Sequence, residues 1–115
     1  MDFGPVISSY SRSQAIEDGV LVDITDTARE AGFKYPVACT AAVWALIETP
    51  WGHTDINGKL WDIVYMCIHE IKRDMAGDRV YFTAKVNGKN RNFYAVIGPG
   101  DTPDPVITIM FTDED

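Results

Sequence analysis

The stretch Arg79-Val80-Tyr81-Phe82-Thr83-Ala84-Lys85-Val86-Asn87-Gly88-Lys89-Asn90-Arg91-Asn92-Phe93-Tyr94-Ala95-Val96-Ile97 decides the fold. Asn-Gly readily supplies the positive φ values of a two-residue hairpin turn, and it separates two runs rich in aromatic and β-branched residues. With Asn87-Gly88 at the turn, Phe82 faces Phe93, Tyr81 faces Tyr94 and Val80 faces Ala95. Aromatic pairs then match on both faces of the ribbon, an agreement that any other register loses. Downstream, Gly98 to Pro105 is too rich in glycine and proline to continue a strand. Val106 to Phe111 resumes one, and its apolar residues on both faces suit a covered position. The expectation is a three-stranded antiparallel meander, with Lys89 to Ile97 in the middle and Arg79 to Val86 and Val106 to Phe111 at the edges. A long edge strand admits dimerisation or the addition of a partner strand, so the chain is expected to be a monomer or an edge-strand homodimer.

Upstream of the hairpin the period changes from two to 3.6. Leu60, Val64, Cys67, Ile68, Ile71 and Met75 recur at spacings of three and four, which predicts a helix over about Lys59 to Met75 ended by Gly77. Asp62, His69, Glu70, Lys72, Arg73 and Asp74 fill its polar side, with Glu70 and Arg73 spaced for a surface pair. Tyr35-Pro36 opens a preceding helix, with Val37, Thr40, Ala41, Trp44, Ala45 and Leu46 at helical spacing up to Pro50. Two shorter helices are read before it. Ser11 caps one that closes near Gly19, and Thr25 to Gly32 shows a capping residue, an early acid and a terminal glycine. Val20 to Ile24 is a short strand or extended link. Helices first and strands last predict a single α+β domain over residues 1–115, two-layered, with N-terminal helices packed on a three-stranded C-terminal antiparallel sheet. A chain of 115 residues buries roughly two thirds of the surface that it exposes when unfolded, enough to fold without staples.

Seventeen acidic residues oppose ten basic ones, for a net charge of −7, yet Lys72, Arg73, Arg79, Lys85, Lys89 and Arg91 fall close together. The segregation bears on partners more than on chemistry. The start Met1-Asp2-Phe3-Gly4-Pro5 lacks the basic and apolar regions of a signal peptide, and no apolar run approaches a membrane span; the expectation is a cytoplasmic protein without membrane contact. Cys39 and Cys67 each lie in an apolar run and read as buried thiols.

Candidate chemistry is thin. Cys39, His53, Cys67 and His69 show no paired spacing of zinc ligands, so neither metal nor cofactor is expected. Cys67 and His69 diverge by about 200 degrees on a helix and make no nucleophile and base pair. Gly98-Pro99-Gly100-Asp101 precedes a strand, so it lacks the helix N-terminus of a phosphate loop. Asp23 with Asp26, and Asp101 with Asp104, sit in turn-like sequence without the enclosure that catalytic carboxylates need. No catalytic residue is assigned. Trp44 and Trp61 read as core, whereas Trp51 in Thr49-Pro50-Trp51-Gly52-His53-Thr54 is a loop aromatic suited to contact.

Both charged poles invite a binding reading. Arg79, Lys85, Lys89 and Arg91, interleaved with Tyr81, Tyr94, Asn90 and Asn92, resemble a small nucleic-acid-binding ribbon, but the net charge opposes a polyanion. Asp101, Asp104, Asp113, Glu114 and Asp115 are candidates for electrostatic capture of a protein partner, with Trp51 or Tyr94 as aromatic anchor.

The stretches Val6 to Asp23, Gly98 to Asp101 and Pro105 to Met110 resemble an uncharacterised family of small proteins carried on bacterial plasmids, integrative elements and phages. Thr27 to Phe33, Pro36-Val37, Thr40 to Trp44 and Gly58 to Asp62 share in the resemblance, while Ile47 to Asn57 and the hairpin depart from it. It transfers no active site. It implies a mobile genetic element, and with it an inhibitor of host defence of the anti-CRISPR or antirestriction type. The leading expectation is therefore a non-enzymatic interaction protein acting through an acidic surface. The alternatives are a small-molecule binder or small enzyme with a pocket between sheet and helices near Tyr65, His69 and Tyr94, and a nucleic-acid binder using the basic hairpin.

Overall fold

A computed structural model of the chain describes residues 10–50, 55–73 and 77–114. The elements run α1 (Arg12–Glu17), β1 (Leu21–Asp23), α2 (Thr25–Ala31), β2 (Val37–Thr40), α3 (Ala41–Glu48), α4 (Ile56–Arg73), β3 (Arg79–Val86), β4 (Lys89–Pro99) and β5 (Pro105–Phe111). The α+β class holds, but the sheet has five strands in the order β1-β2-β5-β4-β3. It is mixed, because β2 pairs parallel with β5 while the remaining neighbours are antiparallel.

The hairpin register is the one that the aromatic pairs specify, with Phe82 opposite Phe93 and Tyr81 opposite Tyr94. Asn87 at φ 54° and Gly88 at φ 78° supply the two positive angles of the turn. β3 alternates exposed and buried residues throughout its length. Its inward residues Val80, Phe82, Ala84 and Val86 lie under α4, whose Leu60, Ile63, Val64 and Cys67 are buried in the same core. On that inner face Phe82, Phe93 and Phe111 form a ladder across three strands, with successive ring centroids 5.3 Å apart.

Two expectations need correction. Val106 to Phe111 is not an edge: β5 lies at the centre of the sheet, between β4 and β2, so the edges are β3 and the short β1. The helix expected from Pro36 to Pro50 begins only at Ala41, because Val37–Thr40 is a strand. Val37, Ala38 and Cys39 are each no more than 1% exposed. A strand covered on both faces carries a continuous apolar run, and periodicity does not separate such a run from a buried helix turn.

The change from β2 to α3 occurs without a loop. Thr40 closes the strand in extended backbone and is also the N-cap, its Oγ1 accepting from the Val43 N–H at 3.3 Å. The same hydroxyl donates to Glu114 Oε2 at 2.9 Å, tying the C-terminal turn to the strand end. At α2 the cap also differs from the sequence reading. Thr25 is the first helical residue rather than the cap, and its hydroxyl bridges Asp23 and Val37. Gly32, at φ 111°, closes α2 in the left-handed region.

α2, α3 and α4 share the inner core with the sheet, whereas α1 lies against the outer face. Arg12 reaches from α1 across that face, donating to Thr108 Oγ1 and to the Ile107 carbonyl, both at 2.7 Å. The helices are therefore not confined to one layer.

Candidate interaction surface

The outer face of the hairpin is built by the period of two. Arg79, Tyr81, Thr83 and Lys85 project outward from β3, all exposed, and on β4 the residues opposite Thr83 and Tyr81 are Asn92 and Tyr94. Tyr81 is 60% exposed and stacks on Tyr94 at 5.5 Å between centroids. The Arg79 guanidinium carbon lies 5.2 Å from the centre of the Tyr94 ring, within the reach of a cation–π contact. Thr83 Oγ1 donates to Asn92 Oδ1 at 3.0 Å, which fixes the amide beside the tyrosines. Tyr94 is 7% exposed, and its hydroxyl donates to the Glu114 carbonyl at 3.1 Å. It is thus a platform under Tyr81 and Arg79 more than a free contact.

The four basic residues proposed for a ribbon do not share a face. Arg79 and Lys85 point outward, whereas Lys89 and Arg91 have the opposite parity, and the Arg91 guanidinium carbon sits 5.1 Å from the centre of the Phe111 ring on the inner side. The acids divide as well. Asp101 and Asp104 precede β5 and Asp113 and Glu114 follow it, so the length of a seven-residue strand, roughly 20 Å, separates the two groups.

Two of those acids are held internally. Asp101 accepts the backbone N–H groups of Arg12 at 2.6 Å and Ser13 at 3.0 Å. These bonds, with smaller help from the Ser13 hydroxyl and the Arg12 charge, keep its carboxyl below the ordinary range. Glu114 accepts from Thr40 Oγ1 and from the Phe111 N–H, each at 2.9 Å. Asp104 and Asp113 remain exposed. Trp51, His53, Met75 and Asp115 lie outside the described residues.

Tyr65, His69 and Tyr94 do not line one pocket. Tyr65 and His69 face solvent on α4, with Tyr65 stacked on Trp61 at 6.3 Å, and Tyr94 is on the far side of the sheet. Trp61 is 39% exposed and not core, while Trp44 is partly buried against the core. Cys39 and Cys67 are buried free thiols, both pushed up to about 12 by desolvation. At neutral pH such thiols stay protonated and weakly nucleophilic. Among the described residues no group of three His, Cys, Asp or Glu side chains is placed to hold a metal ion, and no helix is long and apolar enough to cross a membrane.

Two residues of structural weight escaped the sequence reading. Lys59, the expected first residue of the helix, is 3% exposed and donates to the Thr49 carbonyl, joining the end of α3 to the start of α4. Arg12 is desolvated enough to lower its pKa despite the opposing influence of Asp23 and Asp101. Neither a lysine at a helix start nor an arginine after a cap carries a sequence pattern that announces such a role.

Neither the curated proteins nor the solved structures contain a match to the chain. One family model, described as a family of unknown function (DUF6573), matches residues 2–115, and the chain belongs to that family.

Proposed function

We propose that the chain is a non-enzymatic interaction protein whose contact face is the outer side of the β3–β4 hairpin and whose partner is a protein. The observation that carries this reading is the exposed Tyr81, backed by Tyr94 and flanked by Arg79 and Lys85 on an edge strand. Tyrosine and arginine are enriched among the residues that dominate protein interfaces: tyrosine buries much area for two torsions, and arginine offers a planar fork of donors that stacks on aromatic rings. Asp78 beside Arg79 and the Glu114 carbonyl beneath the Tyr94 hydroxyl temper its positive field, which favours an acidic protein surface over a polyanion. The resemblance to proteins of mobile genetic elements makes an inhibitor of a host nucleic-acid-targeting system the sharpest form of the proposal. A purely acidic capture surface draws less support, given the internal bonds of Asp101 and Glu114.

The test is a comparative pull-down from bacterial lysate with wild type, Tyr81→Ala combined with Lys85→Glu, and Asp104→Asn combined with Asp113→Asn. A specific partner lost by the first variant and kept by the second supports the proposal. Loss by the second alone moves the contact to the acidic pole. A second reading, a single-stranded nucleic-acid binder, is favoured by the open tyrosine stack beside two cations. It requires a gel shift that weakens steeply with salt and with Tyr81→Ala; no shift at low salt dismisses it.

A further inference from the structure

On the inner side of the sheet, remote from the hairpin's outer face, a cleft of about 390 Å³ opens between the C-terminal half of α4 and the segment that joins α2 to β2. Its volume falls in the range of roughly 300–1,000 Å³ usual for small-molecule sites. Ile68 and Ile71 of α4 form one wall, and Phe33, Ile97 and Ile107 form the rest, so that almost all of the lining is apolar. Phe33 and Ile107, at 5% and 3% exposure, belong to the core, so part of the cleft's wall is continuous with it. Two cations also border it. Lys34 and Lys72 are both exposed members of the lining, and lysine stems cover apolar surface while their ammonium groups stay in water. Lys72 Nζ lies 4.0 Å from where a Cβ on Gly32 would stand, over the closing turn of α2.

An apolar cleft bordered by two cations matches one ligand chemistry, a flexible apolar chain that ends in an anion. We propose that the cleft binds a fatty carboxylate, its tail lying between Ile68, Ile71 and Phe33 and its head against Lys34 and Lys72. The polar head stays at the solvent boundary, where the lysines neutralise it without burying a charge. A polypeptide helix is a poorer occupant, because the cleft's volume of about 390 Å³ is that of a small molecule and its lining is drawn from both layers.

The experiment is a fluorescence titration of the full chain with dansyl-undecanoate, followed by displacement with laurate or with dodecanol. Saturable binding of one probe per chain is expected, with laurate displacing it more strongly than dodecanol. Lys34→Ala with Lys72→Ala is expected to weaken laurate by about tenfold or more, the scale of lost charge contacts, with dodecanol little changed. Ile71→Trp, at a partly buried wall position, fills the cleft and removes binding while circular dichroism stays native. Binding that does not saturate, that exceeds one probe per chain, or that survives both sets of substitutions unchanged overturns the proposal.

Discussion

Asp101 carries two backbone bonds from the first turn of α1, and its charged form is the one those donors favour. A carboxyl held below its unfolded value contributes stability at neutral pH, and that contribution is lost as the pH falls through the folded value. Asp101→Asn is therefore expected to lower the urea midpoint at neutral pH and to leave it nearer wild type in acid; equal loss at both ends contradicts the role given to the charge. Thr40 is tested differently. Thr40→Ala removes the cap of α3 and the bond to Glu114 together, an expected loss of about 1–2 kcal/mol. Thr40→Ser should restore most of it. The cysteines make a third case: burial holds both thiols protonated, so a thiol reagent should label neither in the native protein and both in urea. Rapid native labelling of either would reopen the question of nucleophilic chemistry.

Among the elements, the hairpin was legible because three local signals agree: turn chemistry, alternation and cross-strand aromatic pairs. Gly88→Val puts a β-branched side chain at φ 78°, and the expected cost is about 1–2 kcal/mol or more in urea denaturation. The α4 stripe was readable in part: Leu60, Val64 and Cys67 are buried as the spacing predicts, while Lys59 and Ile63 are buried outside the expected set. β2 was not, since Val37, Thr40, Ala41 and Trp44 satisfy helical spacing while the first two of them lie in a strand. What makes Val37–Thr40 extended is tertiary: β1 pairs on one side and β5 on the other. The central place of β5 was hidden by the same partner, because a parallel neighbour more than sixty residues earlier leaves no local trace. Ile109, fully buried in β5, should therefore be as sensitive as any core position; Ile109→Ala is expected to lose about 2–5 kcal/mol.

At the scale of the molecule, the segregated charge of the sequence resolves into surfaces that sequence distance alone does not define. The acids near the C-terminus flank the central strand at both ends, and two of them are spent on internal bonds. The cations divide between the two faces of the hairpin. What stays together is a small platform of Tyr81, Tyr94, Arg79 and Thr83 with Asn92 on an edge of the sheet. Pairing two copies through β3 would bring the Arg79 and Lys85 sets of both chains close together, a repulsion that favours a different, more acidic partner. The direct measurement is the affinity of the captured partner for wild type, Tyr81→Ala and Asp104→Asn by calorimetry. A loss of about 2 kcal/mol or more for Tyr81→Ala, with Asp104→Asn near wild type, is the predicted result. Unchanged affinity for Tyr81→Ala together with a marked loss for Asp104→Asn would contradict it.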